Sequence, residues 1–101
     1  MRRADLKRLM CMTGEARIEQ LRAQQYAELV ELPPFSGAPI NATHAQLSTY
    51  RDDIGQGRLR IVVQGTVPGW LGSSFVRAWG FTVDPDGSSA PLGEEALWEF
   101  T

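Results

Sequence analysis

The sequence contains only one cysteine and one histidine, Cys11 and His44. A single cysteine cannot form an intramolecular disulfide, and together the two residues fall short of the ligand set of a structural zinc site. His44 would also have to be the only imidazole base of any serine or cysteine nucleophile. We therefore expect no metal, no cofactor and no catalytic residues. Cys11 is interpreted as a small apolar side chain of a helix and His44 as a loop residue.

Long apolar runs and a large excess of one charge are also missing. No stretch approaches the ~18 apolar residues that a membrane-spanning helix requires, and the basic start MRRADLKRLMCMTG lacks the apolar core of a signal peptide. We expect a cytoplasmic protein with no membrane partner. The net charge of -2 provides no general attraction to nucleic acid, so binding to phosphate would require a local basic patch.

The familiar nucleotide and metalloprotease motifs GxGxxG, Walker A and HExxH do not occur. The GQG at 55–57 lies between two predicted strands, where a turn is favoured over a phosphate-binding loop. The DPDG at 84–87 has the start of a calcium loop but no glutamate at its twelfth position, so a turn is again favoured. Neither segment supports a cofactor site.

With 101 residues, 43% of them apolar, the chain has the size and composition of one folded domain, 1–101. Residues 1–12 carry four basic side chains and one acidic side chain, a net charge of +3. Met12 would also serve as a translation start, in which case residues 1–11 are an extension added upstream. These residues therefore have two interpretations: a short amphipathic helix or a flexible basic extension. The segment 33–48, rich in proline and small polar residues, is predicted to be a loop that joins a helical part to a sheet.

Apolar residues recur at helical spacing in the first third of the chain, from Leu6 to Val30. Thr13 is a candidate N-cap, which would begin a second helix there. The apolar stripe slips near Gln24 and Gln25, so the segment after Thr13 forms either one long helix or two shorter ones. It must end before Pro33 and Pro34.

From residue 58 onward the apolar period changes from 3.6 to 2. RLRIVVQGTV and SFVRAWGFTV alternate as half-buried strands do, and the PGWLGS between them predicts a hairpin. Further strands are expected at LSTYRDDI and SSAPL, and a short helix at GEEALWEF with Leu97, Trp98 and Phe100 as its apolar contacts. The predicted fold class is α+β: N-terminal helices packed on a three- or four-stranded antiparallel meander, followed by a short C-terminal helix.

Five residues are candidates for partner binding. Trp70 and Leu71 occupy the predicted hairpin tip, where a large aromatic has few ways to be buried, although it can also fold back over the end of the sheet. Arg58 and Arg60 share one strand face, and Arg77 lies on a neighbouring strand, on the same face as Trp79. Trp79 itself is predicted to fill the core.

These residues favour a small, non-catalytic module for protein–protein interaction, of the inhibitor, immunity or accessory type. One alternative is a nucleic-acid-associated protein that uses Arg58, Arg60 and the basic N-terminus. Another is a small enzyme of unknown reaction that depends on His44 or Asp52. Because a meander has exposed edges, a homodimer formed by edge pairing is a further prediction.

Overall fold

The computed structural model describes residues 2–101, apart from the side chain of Leu71. The elements follow in the order α1 (Arg3–Arg22), α2 (Tyr26–Val30), β1 (Phe35–Pro39), β2 (Gln46–Asp53), β3 (Leu59–Pro68), β4 (Ser74–Val83), β5 (Ser89–Pro91) and α3 (Glu94–Leu97). Two 3₁₀ turns add Trp70–Gly72 and Trp98–Phe100. The α+β class and the short C-terminal helix are therefore confirmed. In residues 2–101, no helix has both the length and the apolar content needed to cross a membrane.

Helix α1 is continuous through the point where a second helix was predicted to begin. The Thr13 hydroxyl donates to the Leu9 carbonyl one turn back, at 2.8 Å, which is a mid-helix bond and not an N-cap bond. Residues 3–11 belong to this helix and Met10 is fully buried, which favours the helical interpretation of this segment over a flexible extension. The stripe does break at Gln24 and Gln25, where the Gln25 N–H donates to the Glu28 carboxylate at the start of α2.

The sheet has five strands in the order β1-β2-β3-β4-β5, and each pairs antiparallel with the next. It is a meander, with one strand more than the upper expected number. The extra strand is β1, which lies inside the segment 33–48 that was predicted to be a loop. Proline is tolerated in this strand because it lies at the sheet edge. Ile40 anchors the following turn in the core, whereas Phe35 is 55% exposed and rests on Tyr50 of β2.

The core lies between α1 and one face of the sheet. Alternate residues of β3 point toward the helix and are buried: Leu59, Ile61, Val63 and Val67. They form two clusters, one with Ile18 and Leu21 and one with Met10, and the partly buried Trp79 packs against both. The predicted core position of Trp79 is thus confirmed, although its ring is only partly buried.

Two glycines allow α1 to approach the sheet closely. A methyl group on Gly14 of α1 would overlap the six-membered ring of Trp79, and one on Gly65 of β3 would overlap the side chain of Met10. Each glycine therefore leaves space for a large side chain from the opposite layer. This close packing fixes the position of α1 over β3 and β4.

The opposite face of the sheet is partly covered by the C-terminal segment, residues 92–101. The Phe100 ring lies 5.2 Å from the Tyr50 ring, and the Gln64 amide donates to the Phe100 carbonyl. Leu97 lies close to Gly80. Trp98, by contrast, is 73% exposed, so its predicted role as an apolar contact of the core is wrong. It lies in a 3₁₀ turn and borders a groove beside β4.

Candidate functional site

The β3–β4 hairpin tip is closed by three hydrogen bonds of its own. The Gly69 N–H donates to the Ser73 carbonyl at 2.7 Å, and the Ser73 N–H and hydroxyl both donate to the Trp70 carbonyl, at 3.0 and 2.7 Å. The Trp70 side chain is 85% exposed. The alternative in which Trp70 folds back over the end of the sheet is therefore wrong. The side chain of Leu71, also predicted at this site, lies outside the described residues.

The surroundings of the tip are basic. The Arg3 guanidinium lies beside Gly69, and the Lys7 ammonium lies 4.7 Å from the centre of the Phe75 ring at the start of β4. Both residues belong to the first turns of α1, the part of the chain with a net charge of +3. The tip thus combines one exposed aromatic ring with two neighbouring positive charges.

Arg60 is paired with carboxylates of the same chain, on the sheet face partly covered by the C-terminal segment. It donates to the carboxylates of Asp52 and Glu99, each at 2.6 Å, and its guanidinium lies 5.2 Å from the centre of the Phe100 ring. The hydrogen bond to Asp52 raises the pKa of Arg60, in opposition to burial, which lowers it. The positive charge of Arg60 is therefore matched by two carboxylates.

Arg58 is also paired, with Asp84 at 2.6 Å across to the loop after β4. Arg77 is exposed and its guanidinium lies 5.9 Å from the centre of the Trp79 ring, on the helix side of the sheet and near the sheet edge. The structure therefore does not bring Arg58, Arg60 and Arg77 onto one surface with Trp70. This arrangement lends no support to the predicted arginine patch for nucleic acid.

The residues considered for catalysis lie apart. His44 is exposed in the turn between β1 and β2, and Cys11 is half-buried against the cluster around Met10. Among residues 2–101 no group of three or more histidine, cysteine or acidic side chains is arranged to hold a metal ion. A cleft of about 510 Å³ between α2 and the 84–88 turn is lined by Arg22, Tyr26 and Pro85, among others.

Sequence reasoning missed a second exposed surface, at the outer edge of β4. β5 pairs only with Phe81–Val83, so the first part of β4 has no neighbouring strand on that side within the described chain. A groove of about 460 Å³ lies beside it, lined by Val76, Ala78, Leu97 and the exposed Trp98, among others. The lengths of the two predicted strands could have indicated this open edge, because SSAPL is too short to pair along the whole of SFVRAWGFTV.

Comparison of the chain with protein-family models, with curated proteins and with solved structures finds no match. The functional argument therefore depends on the two exposed surfaces themselves. One is the hairpin tip with Trp70, and the other is the outer edge of β4 with Trp98.

Proposed function

We propose that this protein is a cytoplasmic, non-catalytic module that binds a protein partner through the β3–β4 hairpin tip, as an inhibitor, an immunity protein or an accessory factor would. The observation that carries the proposal is Trp70, which is 85% exposed on a turn held by internal hydrogen bonds. Tryptophan is among the residues that contribute most to binding energy at protein interfaces. A preformed turn also lowers the entropy lost when the partner binds.

The charges around the tip indicate the chemistry of the partner surface. Arg3 and Lys7 lie beside the turn, whereas Arg58 and Arg60 are matched by carboxylates. A complementary partner has an apolar pocket for the indole ring with acidic side chains at its rim. Such charge complementarity mainly increases the association rate and the specificity.

The test is affinity capture from host lysate, with and without nuclease, followed by titration of the identified partner as a purified protein. Trp70→Ala is compared with Phe35→Ala, which removes another exposed aromatic side chain, on the edge strand β1. Both variants are first checked by circular dichroism. Loss of a buried hot-spot residue costs about 2 kcal/mol or more, so Trp70→Ala is expected to weaken binding at least ~30-fold while Phe35→Ala has little effect.

Three results would contradict the proposal. Equal binding by Trp70→Ala and the wild type places the interface elsewhere. A partner lost on nuclease treatment, with affinity that falls steeply as salt increases, supports the nucleic-acid alternative. Turnover of a substrate that is lost on changing His44 or Asp52 to alanine supports the enzyme alternative.

A further inference from the structure

The outer edge of β4 is open between two fixed points. At one end, Ser73 closes the hairpin turn just before β4 begins. At the other end, the Leu92 N–H donates to the Gly80 carbonyl at 3.0 Å. Antiparallel strands direct the N–H and C=O of alternate residues to the same side. Since Gly80 faces outward, Ser74, Val76 and Ala78 do so as well. Three residues therefore present backbone donors and acceptors along an edge with no described neighbour.

We infer that a second copy of this chain occupies this edge, so that two β4 strands pair antiparallel about a two-fold axis and the two sheets become one of ten strands. This inference is independent of the partner proposed for Trp70. Open edges with free backbone groups are ready templates for such pairing. Two-fold dimers are the commonest closed assemblies because the same patch serves both protomers.

The length of the open edge and the side chains along it select one register. An axis at Arg77 places Arg77 directly opposite itself, and like charges in that position are destabilising. An axis at Ala78 pairs Val76 with Gly80, whose carbonyl already accepts from Leu92. An axis at Val76 pairs Ser74 with Ala78, which uses the whole edge from Ser74 to Ala78 without reaching Leu92 or the hairpin turn.

The register centred on Val76 also places suitable groups opposite each other on the helix side. Phe75, whose ring lies 4.7 Å from the Lys7 ammonium, stands opposite Arg77 of the second copy, so the two Arg77 side chains do not stand opposite each other. Helix α1 runs in the same direction as β4, because Lys7 lies at Phe75 and Gly14 lies at Trp79. The two-fold axis therefore sets the α1 helices antiparallel and brings Glu15 toward the second copy's basic first turns.

On the other face of the sheet, the same axis provides an apolar neighbour for Trp98. This side chain borders the groove that Val76 and Ala78 line, and it is 73% exposed in the single chain. In the pair, Val76 of the second copy lies next to Val76, at the open side of that groove. Dimerisation thus covers both an unpaired backbone and an exposed indole.

A residue on the two-fold axis faces its own copy, and this property gives a specific test. Directly opposed residues in a hydrogen-bonded pair have Cα atoms about 5.5 Å apart, within the range that a disulfide requires. In a Cys11→Ser background, Val76→Cys is expected to form a covalent dimer on mild oxidation. The matched control is Ala78→Cys on the same strand face, since its two copies lie about 13 Å apart along the strands. It is expected to form the same non-covalent dimer without a disulfide.

Sedimentation equilibrium of the unmodified chain provides the second readout, with an expected mass of twice 11.2 kDa at high protein concentration. Val76→Lys places two positive charges on the axis and is expected to weaken dimerisation at least ~10-fold, with the fold checked by circular dichroism. Trp70→Ala is expected to dimerise as the wild type does, which separates this inference from the proposed function. A monomer at every concentration, or Ala78→Cys crosslinking as readily as Val76→Cys, would overturn the inference.

Discussion

Gly14→Ala provides a direct test of how α1 is held against the sheet. In an ordinary helix interior, replacing glycine by alanine stabilises a protein by roughly 0.5–1 kcal/mol, because alanine loses less backbone entropy on folding. At Gly14 the added methyl group overlaps the Trp79 ring, and overpacking of this kind costs typically 1–3 kcal/mol. We expect the overlap to dominate, with a net loss of about 1–2 kcal/mol in the free energy of unfolding.

The assay is urea unfolding monitored by circular dichroism. With a denaturant slope of about 1 kcal/mol per molar urea for a chain of this size, the unfolding midpoint is expected to fall by roughly 1–2 M. The reasoning also predicts the result of a double-mutant cycle. When Trp79→Leu has already removed the indole ring, Gly14→Ala is expected to stabilise by the ordinary helix amount, so that the two substitutions are coupled by about 2 kcal/mol. If Gly14→Ala stabilises the protein with Trp79 intact, the close approach of α1 and β4 described above is incorrect.

Three further predictions concern the surface. Trp70→Ala is expected to change the free energy of unfolding by less than about 0.5 kcal/mol, because the side chain is exposed; a larger loss in urea unfolding would show that the ring supports the fold. Arg60→Met is expected to lower the free energy of unfolding by roughly 1 kcal/mol, because the ion pairs of Arg60 are partly exposed. The difference from the wild type should become smaller in high salt. If it does not change with salt, the effect comes from packing on Phe100. The Ser88 N–H donates to the Asp86 carboxylate and lowers its pKa below 3.8, so the stabilisation from this carboxylate is present above pH 3.8 and is lost as the pH falls through its folded-state pKa. Titration of Asp86 by carbon NMR checks this, and a midpoint at or above 3.8 would contradict it.

The long central strands were predictable because their signal is local. Alternation in RLRIVVQGTV and SFVRAWGFTV reflects one buried and one less buried face, and the structure forms β3 and β4 from these segments. The strand β1 was not predictable in the same way. Its residues are all exposed and show no apolar alternation. It forms a strand because its backbone pairs with β2 and its Phe35 ring packs on Tyr50. Tertiary context overrides local propensity at such an edge.

The candidate site shows the same division. A glycine- and proline-flanked tryptophan at a hairpin tip is recognisable from the sequence, but whether it faces solvent depends on how the turn closes. The pairing of Arg60 with Asp52 requires the β2–β3 register, in which these residues are directly opposite. Its second partner, Glu99, comes from a segment 39 residues away. Sequence reasoning could name the arginines, but it could not show that their charges are matched.

The strand order has a consequence for how the chain folds. Because each strand pairs only with its neighbours in sequence, the sheet can grow hairpin by hairpin with small losses of loop entropy, which favours rapid folding. The C-terminal segment, residues 92–101, has no buried side chain and is attached to the sheet through contacts such as those of Glu99 with Arg60 and Phe100 with Tyr50. The same contacts should open first in native-state hydrogen exchange, before the central strands lose protection. We therefore expect the C-terminal segment to open at a lower free energy than the rest of the fold.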